Sequence, residues 1–119
     1  MVEGVPDGNA GDVCGAGERR FINLDLENSP KFKGANLAGA IFDGSWLFEA
    51  DFRGCNLRDA SFRRCNLKCS DFREADLRGA VFEAALEGSE FDGAILDGAQ
   101  FGGSTAYGHV FKDGELPPK

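Results

Sequence analysis

From Phe32 to Phe82 a phenylalanine or leucine falls on every fifth residue: Phe32, Leu37, Phe42, Leu47, Phe52, Leu57, Phe62, Leu67, Phe72, Leu77 and Phe82. On an α-helix, each five-residue step turns about 140° beyond a full revolution, so these side chains would scatter around the cylinder. On one continuous strand an odd step sends them alternately to opposite faces. Burying all eleven therefore requires a change of direction once per repeat, with the central residue of each short side aimed at a common axis. The predicted element is a coil of short extended sides, a β-solenoid.

A second register supports the coil. Two positions before successive anchors stand Ala35, Ala40, Ser45, Ala50, Cys55, Ala60, Cys65, Ser70, Ala75 and Ala80, all small. Positions two apart share the inward direction, and a narrow interior has room for one bulky side chain per side. Gly34, Gly39, Gly44, Gly54 and Gly79 fall two after an anchor, where a corner favours backbone freedom. These segments, among them "GANLAGAIF", "EADFRGCNL" and "READLRGAVF", resemble the A(D/N)LXX motif of the pentapeptide repeat family. The resemblance extends over roughly residues 32 to 116. It implies an all-β right-handed quadrilateral β-helix with four repeats, about twenty residues, per coil.

With four sides, the alternation of Phe and Leu predicts Phe ladders on two opposite sides and Leu ladders on the other two, with coils about 4.8 Å apart. Continuing through Leu86, Phe91, Leu96, Phe101, Phe111 and Leu116 gives seventeen anchor positions and about four coils. Leu86 arrives one residue early, with Glu87 where an anchor is due, which predicts a local distortion from Glu83 to Leu86. Ala106 in place of an anchor and His109 in place of a small residue mark the end of the coil. At the other end Phe21, Ile22, Leu24 and Leu26 miss the phase and are expected to cap the first coil, since uncovered ends invite polymerisation. The expected organisation is a flexible, Gly-rich segment over 1–20 and one solenoid domain with terminal caps over 21–119.

Composition adds limits. A chain of 119 residues suits one domain, and 17 Gly with 11 Phe is the bias of a repeat. The opening residues lack a basic region and an apolar run, so a cytoplasmic protein without a membrane anchor is expected. Cys14, Cys55, Cys65 and Cys69 form no CxxC pair, and the single His109 lies far from them. Reduced thiols are expected, not a zinc site. Cys55 and Cys65 take small inward positions, whereas Cys69 falls at an exposed corner. No Ser/His/Asp or Cys/His constellation or phosphate-binding glycine motif is visible. The expectation is a protein that is not an enzyme and uses no cofactor, metal or small-molecule substrate.

The net charge of -7 conceals an uneven distribution. Arg53, Arg58, Arg63, Lys68, Arg73 and Arg78 each follow an anchor and are predicted to girdle the coil. With Arg64 they are interleaved with Asp51, Asp59, Asp71, Glu74 and Asp76, so residues 51–80 carry +7 and -5, or +2. Beyond them the outward register reads Glu83, Glu87, Asp92 and Asp97 with Glu90 alongside; residues 81–119 carry seven acids against two lysines, and residues 1–30 six acids against two arginines. Trp46 and Phe48 flank the anchor Leu47 and should point outward near Ile41. They read either as a partner surface or as a patch covered by the segment containing Phe21 and Ile22, since an exposed apolar patch needs cover.

The function expected from these features is protein binding or scaffolding by a rod with a charged surface and an unidentified protein partner. A homodimer through a capped end is a further expectation. The family resemblance implies an alternative, a mimic of duplex DNA that binds DNA gyrase or a related topoisomerase through acidic residues. Nucleic-acid binding through the Arg girdle is the third reading, set against a solvated, salt-bridged surface.

Overall fold

The computed structural model describes residues 32–118, and the expected N-terminal cap and covering segment lie outside them. Each five-residue side repeats one arrangement. The anchor is buried, the next two residues form a turn, the small residue is buried, and the last residue bridges outward to the neighbouring coil. The turn closes through the small residue's N–H, as where Ala35 donates to the Phe32 carbonyl at 2.8 Å. Its third residue has a positive φ, for example 74° at Gly39, the type II pattern that glycine satisfies without a Cβ clash. Glu49, Asp59, Arg64, Cys69 and Glu74 hold the same corner with φ between 55° and 62°, a conformation unfavourable for L-residues.

Coils stack in parallel. The anchor's N–H donates to the next coil, as in Phe42 to the Ser61 carbonyl (2.8 Å), and that coil's Ser61 N–H returns to the Ala40 carbonyl (2.9 Å). Bridges Asn36↔Asn56, Ile41↔Ser61, Trp46↔Asn66 and Asp51↔Asp71 repeat every twenty residues around four sides. The fold is the expected right-handed quadrilateral β-helix.

The anchors fill the interior. On one side Phe32, Phe52, Phe72 and Phe91 stack with centroids 4.9 to 5.2 Å apart; on the opposite side Phe42, Phe62, Phe82 and Phe101 stack at 4.5 to 4.9 Å. The two ladders meet edge to face, as for Phe62 and Phe72 at 5.7 Å and 87°. Leu37, Leu57, Leu77 and Leu96 fill one remaining side and Leu47, Leu67 and Leu86 the other, all buried. The small register lies beside them: Cys55 Sγ lies 2.9 Å from the Phe32 carbonyl and Ser70 donates its hydroxyl to the Leu47 carbonyl at 3.0 Å.

The missing residue takes the form the spacing predicts. Strand β1 (Ser61–Asn66) pairs in parallel with β2 (Val81–Ala85). Arg63 faces Glu83 and Cys65 faces Ala84, leaving Arg64 as a bulge. Residues 82–86 lack the left-handed corner residue, so β2 runs straight through where other sides turn.

The last two expected anchors are corrected. Strand β3 (Thr105–Ala106) pairs antiparallel with β4 (His109–Val110). Tyr107 and Gly108 between them both have positive φ, 51° and 83°, the geometry of a tight primed hairpin turn. The chain reverses there, so Phe111 does not continue the ladder of Phe91. It exchanges backbone hydrogen bonds with Gly103 and Ser104 and lies 6.3 Å from Phe101, tilted by 39°. Leu116 is 45% exposed, and Pro117 is buried instead. The hairpin and tail form the expected C-terminal cap.

Replacing Phe62, which packs against four other rings, those of Phe42, Phe52, Phe72 and Phe82, by Ala should cost about 3–5 kcal/mol in denaturant unfolding. Burial pushes the Cys55 and Cys65 thiols up to about 11. Mass spectrometry after thiol labelling of the folded protein at pH 8 should therefore find Cys69 modified, and Cys55 and Cys65 modified only after unfolding.

Candidate interaction surface

Three outward positions on each side carry the surface: the bridging residue, the residue after the anchor, and the corner. An Asp or Asn at the bridging position caps the turn that follows it. Asp51 Oδ1 accepts from the Arg53 N–H (3.1 Å) and Asp71 Oδ1 from the Arg73 N–H (3.0 Å); Asn56 and Asn66 do the same for Arg58 and Lys68. This is the physical content of the D/N in the repeat, since a short side chain reaches the backbone two residues on. Where Ser61 stands in that position, Asp43 of the coil above substitutes, accepting from the Ser61 hydroxyl at 2.6 Å and the Arg63 N–H at 3.0 Å.

The capping carboxylates also hold the guanidinium groups. Arg53 meets Asp51 at 2.8 Å, Arg73 meets Asp71 at 2.6 Å and Arg78 meets Asp76 at 2.6 Å. Arg53 and Arg58 also reach across coils to Asp71 and Asp76, each at 3.7 Å. The arginine side-chain hydrogen bonds chiefly hold Asp51, Asp71 and Asp76 below the usual carboxylate range, against a smaller opposing effect of burial. Arg53, Arg73 and Arg78 are correspondingly raised. The "DFR", "DFR" and "DLR" triplets at 51, 71 and 76 are the sequence signal for this pairing.

The predicted girdle therefore exists as a ring of positions, but its charge is divided. Among the described residues Arg63, Arg64 and Lys68 make no ion pair. Arg63 lines a shallow groove with Glu83 and Asp113, while Arg64 and Lys68 lie on the stretch leading to and across the Leu67 side. On that side of the preceding coil Trp46 and Phe48 point outward, 50% and 38% exposed. Trp46 bridges to Asn66, and Glu49 at the next corner donates its N–H to the Lys68 carbonyl at 3.0 Å. The spacing placed Trp46, Phe48 and Lys68 on this surface; Arg64 holds the ordinary corner position two residues after Phe62, and the deletion one coil below leaves it without a partner there.

The acidic residues surround the lower coil: Glu90 and Asp92 flank Phe91, Asp97 follows Leu96, Glu83 follows Phe82 and Glu87 follows Leu86. They do not converge on one side. Glu87 is partly buried, with Oε2 accepting from the Tyr107 N–H at 3.3 Å and Oε1 without a partner. At the end of the rod, His109 Nε2 lies 2.6 Å from Glu115 Oε2, while Tyr107, Val110 and Leu116 expose apolar surface.

A stacked coil with an apolar axis and functional chemistry confined to its outer positions defines a repeat solenoid. The family model for Pentapeptide repeats matches residues 45–83 in 8 copies, so this part of the chain is built of pentapeptide repeats. Among solved structures it is similar to a pentapeptide repeat protein from the Arabidopsis thaliana thylakoid lumen, with 30% identity over 69% of this chain and 61% of that one, TM-score 0.42. The pentapeptide repeat protein Rfr23 from the cyanobacterium Cyanothece 51142 has 16% identity over 75% of this chain and 81% of its own, TM-score 0.46. The plasmid-mediated fluoroquinolone resistance protein QnrB1 has 25% identity over 71% of this chain and 54% of its own, TM-score 0.46. No curated protein sequence matches significantly.

The lowered carboxylates set the sign of a pH dependence. An unfolded Asp titrates near about 3.9, above the folded values of Asp51, Asp71 and Asp76. Their contribution to stability is thus present above about pH 4–5 and is lost as pH falls through the lowered values. NMR titration should show all three midpoints below about 3.9, and Arg73→Ala should raise the Asp71 midpoint most.

Proposed function

We propose that the protein is a non-catalytic binding module, a stiff rod whose outer residues engage another protein, and that it works in the cytoplasm. The observation that carries this reading is the exposure of Trp46 and Phe48 on one side, on a surface where Arg53, Arg73 and Arg78 are held by aspartates. Exposed aromatics favour protein association, in which a few large side chains dominate the energy. Cation binding to a phosphate backbone instead requires a concentrated patch, and paired guanidinium groups with a net charge of -7 weigh against that. Cys55, Cys65 and Cys69, free of disulfides among the described residues, suit a reducing compartment.

A second reading rests on the acidic collar of Glu83, Glu87, Glu90, Asp92 and Asp97. Together with the family resemblance it supports a mimic of duplex DNA that engages DNA gyrase.

Capture from a lysate of the source cells by tagged protein separates these readings. The binding module should retain a specific protein that is depleted when Trp46 and Phe48 are changed to Ser and retained when Glu87, Glu90, Asp92 and Asp97 are neutralised. The DNA mimic should retain gyrase and inhibit supercoiling, and should lose both in the acid-neutralised variant. Salt-sensitive retention of nucleic acid, abolished by neutralising Arg58, Arg63, Arg73 and Arg78, would replace both.

A further inference from the structure

We propose that Trp46, Phe48, Arg64 and Lys68 form one docking surface, and that its partner is an acidic protein segment carrying apolar side chains. This rests on the binding-module reading and gives it a location and a partner chemistry.

Three observations meet at this surface. The first is apolar: Trp46 and Phe48 flank Leu47 and are both exposed, whereas the bridging and post-anchor residues one coil on, Asn66 and Lys68, are polar. The second is electrostatic: Arg64 and Lys68 make no ion pair among the described residues, unlike Arg53, Arg58, Arg73 and Arg78. The third is geometric. Arg64 stands at the corner two residues before Asn66, to which Trp46 bridges, and it is left without a partner opposite the shortened side of the coil below.

The surrounding carboxylates do not cancel these cations through pairing. Asp43 is occupied by the Ser61 hydroxyl and the Arg63 N–H. Glu87 turns toward the Tyr107 N–H in the coil below, and Glu83 extends over Gly103. Glu49 is the exposed acid at the adjoining corner. An aromatic pair beside two unpaired cations fits apolar side chains from a segment whose carboxylates reach Arg64 and Lys68. Such charge complementarity favours acidic over basic partners and accelerates encounter at low salt. Nucleic acid fits less well because the cations do not continue along the rod: Phe48 precedes Lys68 in its column and Glu87 follows it.

Trp46 is the single tryptophan, so intrinsic fluorescence reports directly on the site. The test is titration of the full chain with a synthetic peptide of alternating Glu and Leu, beside a Lys-Leu peptide and a Glu-Ser peptide of equal length. The expected result is a saturable blue shift of Trp46 emission with the Glu-Leu peptide. Affinity should fall at least about tenfold for each control peptide and for the Arg64→Glu, Lys68→Glu double variant. Arg64→Gly with Lys68→Gln should weaken binding in the same direction while suiting the left-handed corner, so a folding defect would not imitate the result.

No saturable shift, equal binding of the Lys-Leu peptide, or indifference to both charge variants would overturn the proposal. So would tighter peptide binding together with red-shifted free-protein emission in a Phe21→Ser, Ile22→Ser variant, because the chain's own N-terminal segment would then be the occupant. Lysate capture separates the two levels. A specific partner retained by the Arg64/Lys68 variants leaves the binding module standing and removes this surface; absence of any protein partner removes the module reading while the peptide titration still decides the surface.

Discussion

The whole molecule depends on the register between one coil and the next. Each anchor N–H reaches a carbonyl on the following coil, and that coil's bridging residue returns an N–H to the small residue above. This reciprocal pairing fixes the height of every side, and the Phe and Leu ladders can stack only because it does. The aromatic packing then makes the pairing cooperative: a slip of one residue would replace an inward phenylalanine with an outward polar side chain, as in any extended chain with alternating faces. Hydrogen bonding sets the spacing, and burial penalises departure from it.

The same register organises the exterior. Residues twenty positions apart become neighbours, so distant stretches of chain assemble continuous columns of outer side chains. Asp and Asn at the bridging positions serve two purposes, closing the following turn and, where an arginine comes two residues later, restraining its guanidinium group. A surface that looks strongly cationic along the chain is therefore partly neutral in space. The side containing Trp46 and Lys68 differs because the asparagine at 66 caps the backbone without supplying a charge.

Much of this was legible in the sequence. The five-residue period demanded a coil, the small register located its second inward position on each side, and early Leu86 located the irregular side. Family resemblance supplied four sides and the right hand, which periodicity did not. The ladder was overextended at Phe111 and Leu116 because spacing by itself does not disclose that Tyr107 and Gly108 reverse the chain; "YG" between short extended residues was the available signal. The girdle was located correctly, but its pairing depended on Asp-x-Arg geometry within single turns. Arg64 was legible as a corner residue, but its lack of a partner on the next coil depends on a residue missing there.

That missing residue shows how the rod handles a change of length. The shortened side runs straight, the neighbour above accommodates the mismatch as a bulge, and by Phe91 the ladder stacks as before, 5.2 Å from Phe72. A corner can thus act as an expansion joint: a single-residue indel is absorbed locally without displacing the remaining coils. Drift in chain length at corners gives such a protein a route to new surface shapes while its interior stays unchanged.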